Sequence, residues 1–198
     1  KIMNALILID IQNDFLPGGS LEVPNGDEII DNVNSIMDNY NIVVATKDWH
    51  PKNHISFASN HKNKKAGQKI IINNLDQMLW PDHCIKDSKG SEFPEKLDSH
   101  KIHKIFYKGI DSNIDSYSGF YDNGKIRSTG LSNFLKKSNI NQVDIVGLAT
   151  DYCVKYSSFD AFNEGFNINV LRFCVRGISV ETTEAAFKEM KDMGISII

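Results

Sequence analysis

Cysteine is scarce in this chain: Cys84, Cys153 and Cys174 are the only three in 198 residues. So few, and an odd number, excludes the disulfide framework of a small secreted fold and makes a reducing, cytoplasmic setting the expectation. Long apolar runs are missing too. None approaches the roughly 18–20 residues of a membrane span, and no signal-peptide pattern opens the chain, so no membrane partner is expected. Nor is there an excess of positive charge. Lys and Arg number 22 against 25 Asp and Glu, a net charge of −3, which argues against a general nucleic-acid binder. Repeats, low-complexity tracts and dividing linkers are also absent, so residues 1–198 are expected to form one domain. The opening Lys1-Ile2-Met3 makes Met3 the expected native start.

What is present suits a globular enzyme-sized core. With 41% hydrophobic and 24% charged residues, a chain of this length buries roughly 70% of its unfolded surface and needs no metal or disulfide to hold it together. Ala5-Leu6-Ile7-Leu8-Ile9 is a continuous apolar run, the mark of a strand covered on both faces. Further strands are expected at 42–45, 102–107, 143–148, 168–173 and 195–198. Apolar residues at helical spacing predict helices over 29–40, 133–137, 152–163 and 181–193. Strands alternating with helices predict an α/β fold: a mostly parallel sheet of about six strands with helices on both faces, in three layers. One stretch breaks the rhythm. Residues 49–101 separate two strands, where connections are normally about 2–6 residues long, and long irregular ones are usually functional or disordered. Phe57, Trp80, Pro81 and His83 within it argue against disorder and for a binding site.

In open α/β sheets ligands bind beyond the carboxyl ends of the strands. The first strand delivers Asp10 there, the second runs into Thr46-Lys47-Asp48-Trp49-His50, the third ends at Lys108, and the fourth leads to Cys153 at a helix start. Singly, each has an ordinary structural explanation; jointly they make a reactive rim. Cys153 is the best nucleophile, because a helix N-terminus and a nearby cation are expected to lower its pKa. Asp10 would accept its proton and Lys108 would stabilise the charges. Cys84, beside His83, and Cys174, just past the fifth strand, are weaker competitors, and Cys84 is also a candidate metal ligand. Asp48 and His50, two apart, share one face of an extended segment. With His54 or His83 as a third ligand they suit Zn, Fe or Mn.

These residues fall in four motifs that resemble the nicotinamidase family of isochorismatase-like cysteine hydrolases: Leu8-Ile9-Asp10-Ile11-Gln12-Asn13-Asp14-Phe15, Asp48-Trp49-His50-Pro51-Lys52-Asn53-His54-Ile55-Ser56-Phe57, Leu79-Trp80-Pro81-Asp82-His83-Cys84 and Gly147-Leu148-Ala149-Thr150-Asp151-Tyr152-Cys153-Val154. The first and last mark the superfamily, and the middle two mark nicotinamidases within it. The resemblance implies a triad of Asp10, Lys108 and Cys153, and a divalent metal, most often zinc, on Asp48, His50 and His83. It makes His54 an optional further ligand, which water replaces in some members. It assigns the ring pocket to Phe15, Trp80 and Tyr117, places a cis peptide at Leu148–Ala149, and makes an oxyanion hole of the Ala149 and Cys153 amides. The implied reaction converts nicotinamide to nicotinate and ammonia through a thioester, in NAD salvage, with pyrazinamide as an expected analogue substrate. Other isochorismatase-like hydrolases share the triad but not the metal ligands. A non-enzymatic receiver module needs a paired acidic cluster after its first strand and no helix-start cysteine. A non-haem iron oxygenase shares the two-His, one-carboxylate set but usually sits on a β-barrel.

Overall fold

The first strand organises everything around it. In the computed structural model, which describes residues 3–198, β1 spans Asn4–Ile9 and is buried on both faces. Lys1 and Ile2, ahead of the expected start, lie outside the described residues. Because side chains alternate along a strand, Ala5, Ile7 and Ile9 enter one core, and Leu6 and Leu8 enter the other. Helix α1 (Ile29–Ile36) covers the second core with Ile29, Ile30 and Val33.

The chain continues through β2 (Ile42–Asp48), a hairpin of β3 (Lys69–Ile72) and β4 (Leu75–Met78), and β5 (Lys104–Lys108). After a long irregular segment come α2 (Leu131–Lys137), β6 (Gln142–Leu148) and α3 (Lys155–Asn163). Strand β7 (Asn167–Arg176), α4 (Val180–Met193) and β8 (Ser196–Ile197) complete it. Leu131, Leu135, Ala161, Ala186, Phe187 and Met190 bring α2, α3 and α4 onto the first core, opposite α1. The six-stranded sheet has the order β5-β2-β1-β6-β7-β8 and is parallel throughout. From β1 the chain builds outward to β5, then crosses to the other side of β1 and builds outward again. A crevice therefore opens between the carboxyl ends of β1 and β6, where the direction reverses.

The expected fold class is the observed one, with local differences. Strand β2 runs on to Asp48, and β7 runs from Asn167 to Arg176, so Cys174 lies within a strand and not past it. Strand β5 starts at Lys104, two residues later than expected, because a turn at Ser99–Lys101 precedes it. The helix expected from Tyr152 begins instead with a π-helical turn, Thr150–Val154, in which the Val154 amide donates to Ala149 O at 3.1 Å. The hairpin inside 49–101 was not foreseen. Its turn residues, Asn73 and Asn74, take φ of 52° and 63°, and an Asn-Asn pair between Ile72 and Leu75 is a readable hairpin signal. Among the described residues no helix is long and apolar enough to cross a membrane.

The pairing of β1 with β6 leaves no room at Gly147, which sits opposite Ile9 with φ of 120°. A Cβ there would lie 2.1 Å from Ile9 O. Gly147→Ala is therefore expected to destabilise the protein by about 3 kcal/mol, lowering Tm by roughly 10 °C in a thermal melt. An unchanged Tm would contradict this close approach.

Candidate active site

The crevice gathers an acid, an amine and a thiol from three elements. Asp10 directly follows β1, Lys108 ends β5, and Cys153 lies in the turn after β6. All three are buried. Lys108 Nζ lies 2.8 Å from Asp10 Oδ2, 2.5 Å from Asp48 Oδ1 and 3.5 Å from Cys153 Sγ, and it also donates to Ser116 O at 2.8 Å. A carboxylate oxygen of Asp10 lies within 4.8 Å of the Cys153 sulfur. The Thr46 hydroxyl donates to Asp10 Oδ1 at 2.7 Å and accepts from the Asp10 amide at 3.2 Å. Sequence reasoning placed Thr46 at the end of the second strand without a role and missed Ser116. Thr46 was readable, two residues before Asp48 on the same face of a strand. Ser116 acts through a backbone carbonyl in an irregular segment, for which no residue pattern exists.

The charges settle unequally around this ammonium. Burial alone would lower the Lys108 pKa, but Asp10 and Asp48 outweigh it and hold it well above the ordinary lysine value. Burial would raise the Asp48 carboxyl, yet the Lys108 ammonium keeps it well below the usual carboxylate range. For Asp10 burial prevails over Lys108, with the Asp48 charge adding to it, and the carboxyl is raised. Burial also pushes the Cys153 thiol well above its ordinary value, against Lys108 and reinforced by both carboxylates. The expected lowering of the Cys153 pKa is thus reversed. The cation that was to stabilise the thiolate is shared between two buried carboxylates.

Next to this group, Asp48, His50 and His83 offer ligand atoms all within 4.8 Å of one another. Asp48 Oδ2 lies 3.5 Å from His50 Nε2 and 3.6 Å from His83 Nε2. Each histidine is held from behind by a carbonyl, Gly109 O at 2.9 Å from His50 Nδ1 and Pro81 O at 2.8 Å from His83 Nδ1. A carbonyl only accepts, so Nδ1 carries the proton and the Nε2 lone pairs face Asp48. His50 Nε2 is buried and without a hydrogen-bond partner. One carboxylate and two imidazoles, oriented from behind and orphaned in front, fit a divalent transition metal. His54 lies beside this cluster, in a second group with His50 and Asp115 whose ligand atoms are also within 4.8 Å of one another. Its Nε2 faces Ile114 O at 3.2 Å and its Nδ1 accepts from Ser56 Oγ at 2.7 Å, so both nitrogens are engaged. Burial and the neighbouring His50 bring its pKa down to about 4. Cys84, the other candidate ligand, is buried, its Sγ 4.0 Å from Gly90 O, and burial raises its thiol well above the ordinary value.

Above both groups lies an apolar cavity that contains every expected ring-pocket residue: Phe15, Trp80 and Tyr117, with Ala149 and Cys153 at its base. The Trp80 and Tyr117 rings meet edge-on with centroids 6.5 Å apart, and Phe15 packs on His83 at 5.6 Å. The Leu148–Ala149 peptide is cis. Sequence reasoning missed Leu21, Val23, Asp115, Tyr152 and Ile178, which complete the lining. Ile178 arrives from the loop before α4, where its amide donates to both oxygens of Asp151 at 3.2 Å. Nothing local marks it as a pocket residue.

The parallel α/β sheet and its crevice define the class of fold, and residues 4–198 match the isochorismatase domain. The chain belongs to the isochorismatase family, and full-length relatives 34–40% identical to it are named nicotinamidases, one of them nicotinamidase/pyrazinamidase. Escherichia coli nicotinamidase is 40% identical over 201 residues, covering 98% of this chain and 93% of that protein. The solved nicotinamidase/pyrazinamidase of Acinetobacter baumanii is 39% identical, with a TM-score of 0.96 over 100% of this chain and 96% of its own. Pyrococcus horikoshii pyrazinamidase, solved in complex with zinc, is 36% identical with a TM-score of 0.79, covering 98% of each chain.

Removing the central charge tests the electrostatics without reference to catalysis. Lys108→Met leaves Asp10 and Asp48 buried with no ammonium between them, a change that costs about 3–5 kcal/mol. The depressed Asp48 carboxyl stabilises the fold above its unfolded pKa and loses that contribution as pH falls through its folded value. The deficit of the variant should therefore be largest near pH 8 and shrink toward acid, as the uncompensated carboxylates take up protons. Urea denaturation of both proteins across that range measures it. A deficit independent of pH would remove Lys108 from the charge network.

Proposed function

We propose that the protein hydrolyses nicotinamide to nicotinate and ammonia, with Cys153 as nucleophile, Asp10 as proton carrier and Lys108 as the charge between them. The observation that carries this reading is one ammonium in contact with both a carboxylate and a thiol, 2.8 and 3.5 Å away, with that thiol lining an aromatic-walled cavity. The names of its relatives support the amide and the pyridine ring as the substrate's two parts. The ends of β1, β5 and β6 supply acid, amine and thiol and β2 ends on Asp48, while residues 49–101 supply His50, His83 and Trp80.

In the first step Asp10 takes the thiol proton as Sγ attacks the carboxamide carbon. A raised carboxyl pKa makes Asp10 a stronger base, which narrows its gap to the raised thiol, and the two titrate as a pair. The tetrahedral oxyanion would be held by the Ala149 and Cys153 amides, each such donor contributing about 3–4 kcal/mol. Asp10 returns the proton to nitrogen, the C–N bond breaks and ammonia leaves, giving a thioester. Asp10 then removes a proton from water, whose oxygen attacks the thioester carbon; nicotinate leaves and the thiol is re-formed. Phe15, Trp80 and Tyr117 clasp the ring and exclude water. Asp48, His50 and His83 would hold the metal, zinc by its donor set and with Fe or Mn also suited, as a Lewis acid toward the ring nitrogen. Pyrazinamide, with the same ring shape, fits as a second substrate. Three buried, unpaired cysteines suit a reducing compartment such as the cytoplasm.

Ammonia release tests the reading directly. Cys153→Ala should abolish turnover while nicotinamide still binds in calorimetry, and substantial ammonia release by that variant would be fatal to the covalent mechanism. Chelation should weaken nicotinamide binding and leave the circular dichroism spectrum intact, since a chain this long has its own core. Unfolding on chelation would mean that the metal is structural. Benzamide, which lacks the ring nitrogen, should be a far poorer substrate than nicotinamide; equal rates would remove the ring nitrogen from recognition.

A further inference from the structure

The segment after β1 carries two polar side chains that take no part in the steps above, yet both are engaged with distant backbone. Gln12 is fully buried. Its Oε1 accepts from the Asp48 amide at 2.8 Å, and its Nε2 donates to Asp48 O at 2.8 Å and to Ser91 O at 3.0 Å. The pairing of β1 with β2 ends at Leu8 and Ala45, while β2 continues to Asp48. On its β1 side the last residue of β2 therefore has no strand to pair with. The Gln12 carboxamide takes that place, offering one acceptor and one donor as a peptide group of a neighbouring strand would. The other edge of Asp48 pairs with Lys108.

Asp14 acts on the second ligand-bearing loop. Its Oδ2 accepts from the Cys84 amide, one residue past His83, at 2.7 Å. Gly90 packs so closely on this carboxylate that a Cβ there would lie 2.1 Å from Oδ2. The two loops are then joined to each other. The His50 amide donates to Cys84 O at 3.0 Å, and the Lys86 amide donates to His50 O at 2.8 Å. Residues 36 and 70 positions away from Gln12 and Asp14 in sequence are thereby fixed by one short segment.

Building on the metal reading above, we propose that Gln12 and Asp14 are positioning residues of the metal centre. They lock the main chain under Asp48 and beside His83, so that Asp48 Oδ2 meets both imidazoles. Groups that orient metal ligands without touching the metal commonly change affinity about 10–100-fold when removed.

Zinc affinity, measured by competition with a chromophoric chelator, and the melting temperature of the metal-free protein provide the test. Gln12→Ala and Asp14→Ala should each weaken zinc binding by about 10–100-fold. Asp14→Asn keeps an acceptor in the same place and should restore most of that loss. Tyr40→Phe serves as a structural control. It removes the hydroxyl bonded to Asp144 at 2.6 Å, near the opposite end of the sheet, and should lower the melting temperature while leaving zinc affinity unchanged. Wild-type affinity in both alanine variants overturns the proposal, as does an equal loss in Tyr40→Phe. Wild-type protein that takes up no zinc overturns the metal site itself, and the positioning role with it. Should Gln12→Ala fail to fold, the Asp14→Ala and Asp14→Asn pair decides alone.

Discussion

One buried ammonium fixes the arrangement of this crevice. Lys108 has contacts with Asp10, Asp48, Cys153 and the Ser116 carbonyl, and each comes from a different part of the chain. A buried charge is tolerated only when it is paired and fully hydrogen-bonded. Four separate segments must therefore close on Nζ for the carboxyl end of the sheet to be stable. The same contacts bring the thiol, the acid and the first metal-ligand candidate within reach of one another. Folding and the assembly of the site satisfy a single electrostatic requirement.

Sharing that charge has a chemical consequence. Two carboxylates around one cation leave a net negative surround, so the thiol is held in its protonated form by burial and by those carboxylates. Under the proposed mechanism the proton would be removed only when a substrate carbon is ready to accept the sulfur, with Asp10 as the acceptor. A thiol kept protonated until attack is less exposed to oxidation and alkylation than a standing thiolate. Asp48 faces both ways, with Oδ1 on Lys108 and Oδ2 on the two histidines. The acid–thiol centre and the candidate metal centre consequently meet at one side chain and are held in fixed relation beneath the ring cavity.

The sheet and the long insertion divide the work in a physically sensible way. The parallel strands place short, strongly determined side chains at their ends, where the backbone is rigid. The insertion supplies Trp80 and His83 to the lining of the apolar cavity. It is ordered through bridges between His50 and Ile85 and between Phe57 and Trp80, and through the Gln12 and Asp14 contacts with its backbone. Its dependence on the β1 end explains why a segment with so little regular structure can carry a defined site.

The apolar run of β1, the alternation of strands and helices, and the residues delivered at strand ends were determined by the sequence alone, because burial on both faces and side-chain periodicity are local properties. Asp10, Asp48, His50, His83, Lys108 and Cys153 were legible for that reason, helped by four compact motifs. Tertiary structure alone decided what those groups do to one another. Burial, reinforced by the two carboxylates that share Lys108, reversed the expected shift of the Cys153 thiol. Ile178 and the Ser116 carbonyl joined the site through contacts that leave no mark in the residues beside them. Identity and spacing report which groups reach a crevice. Protonation, orientation and lone-pair availability depend on distances between segments far apart in the chain, and only the folded molecule sets those.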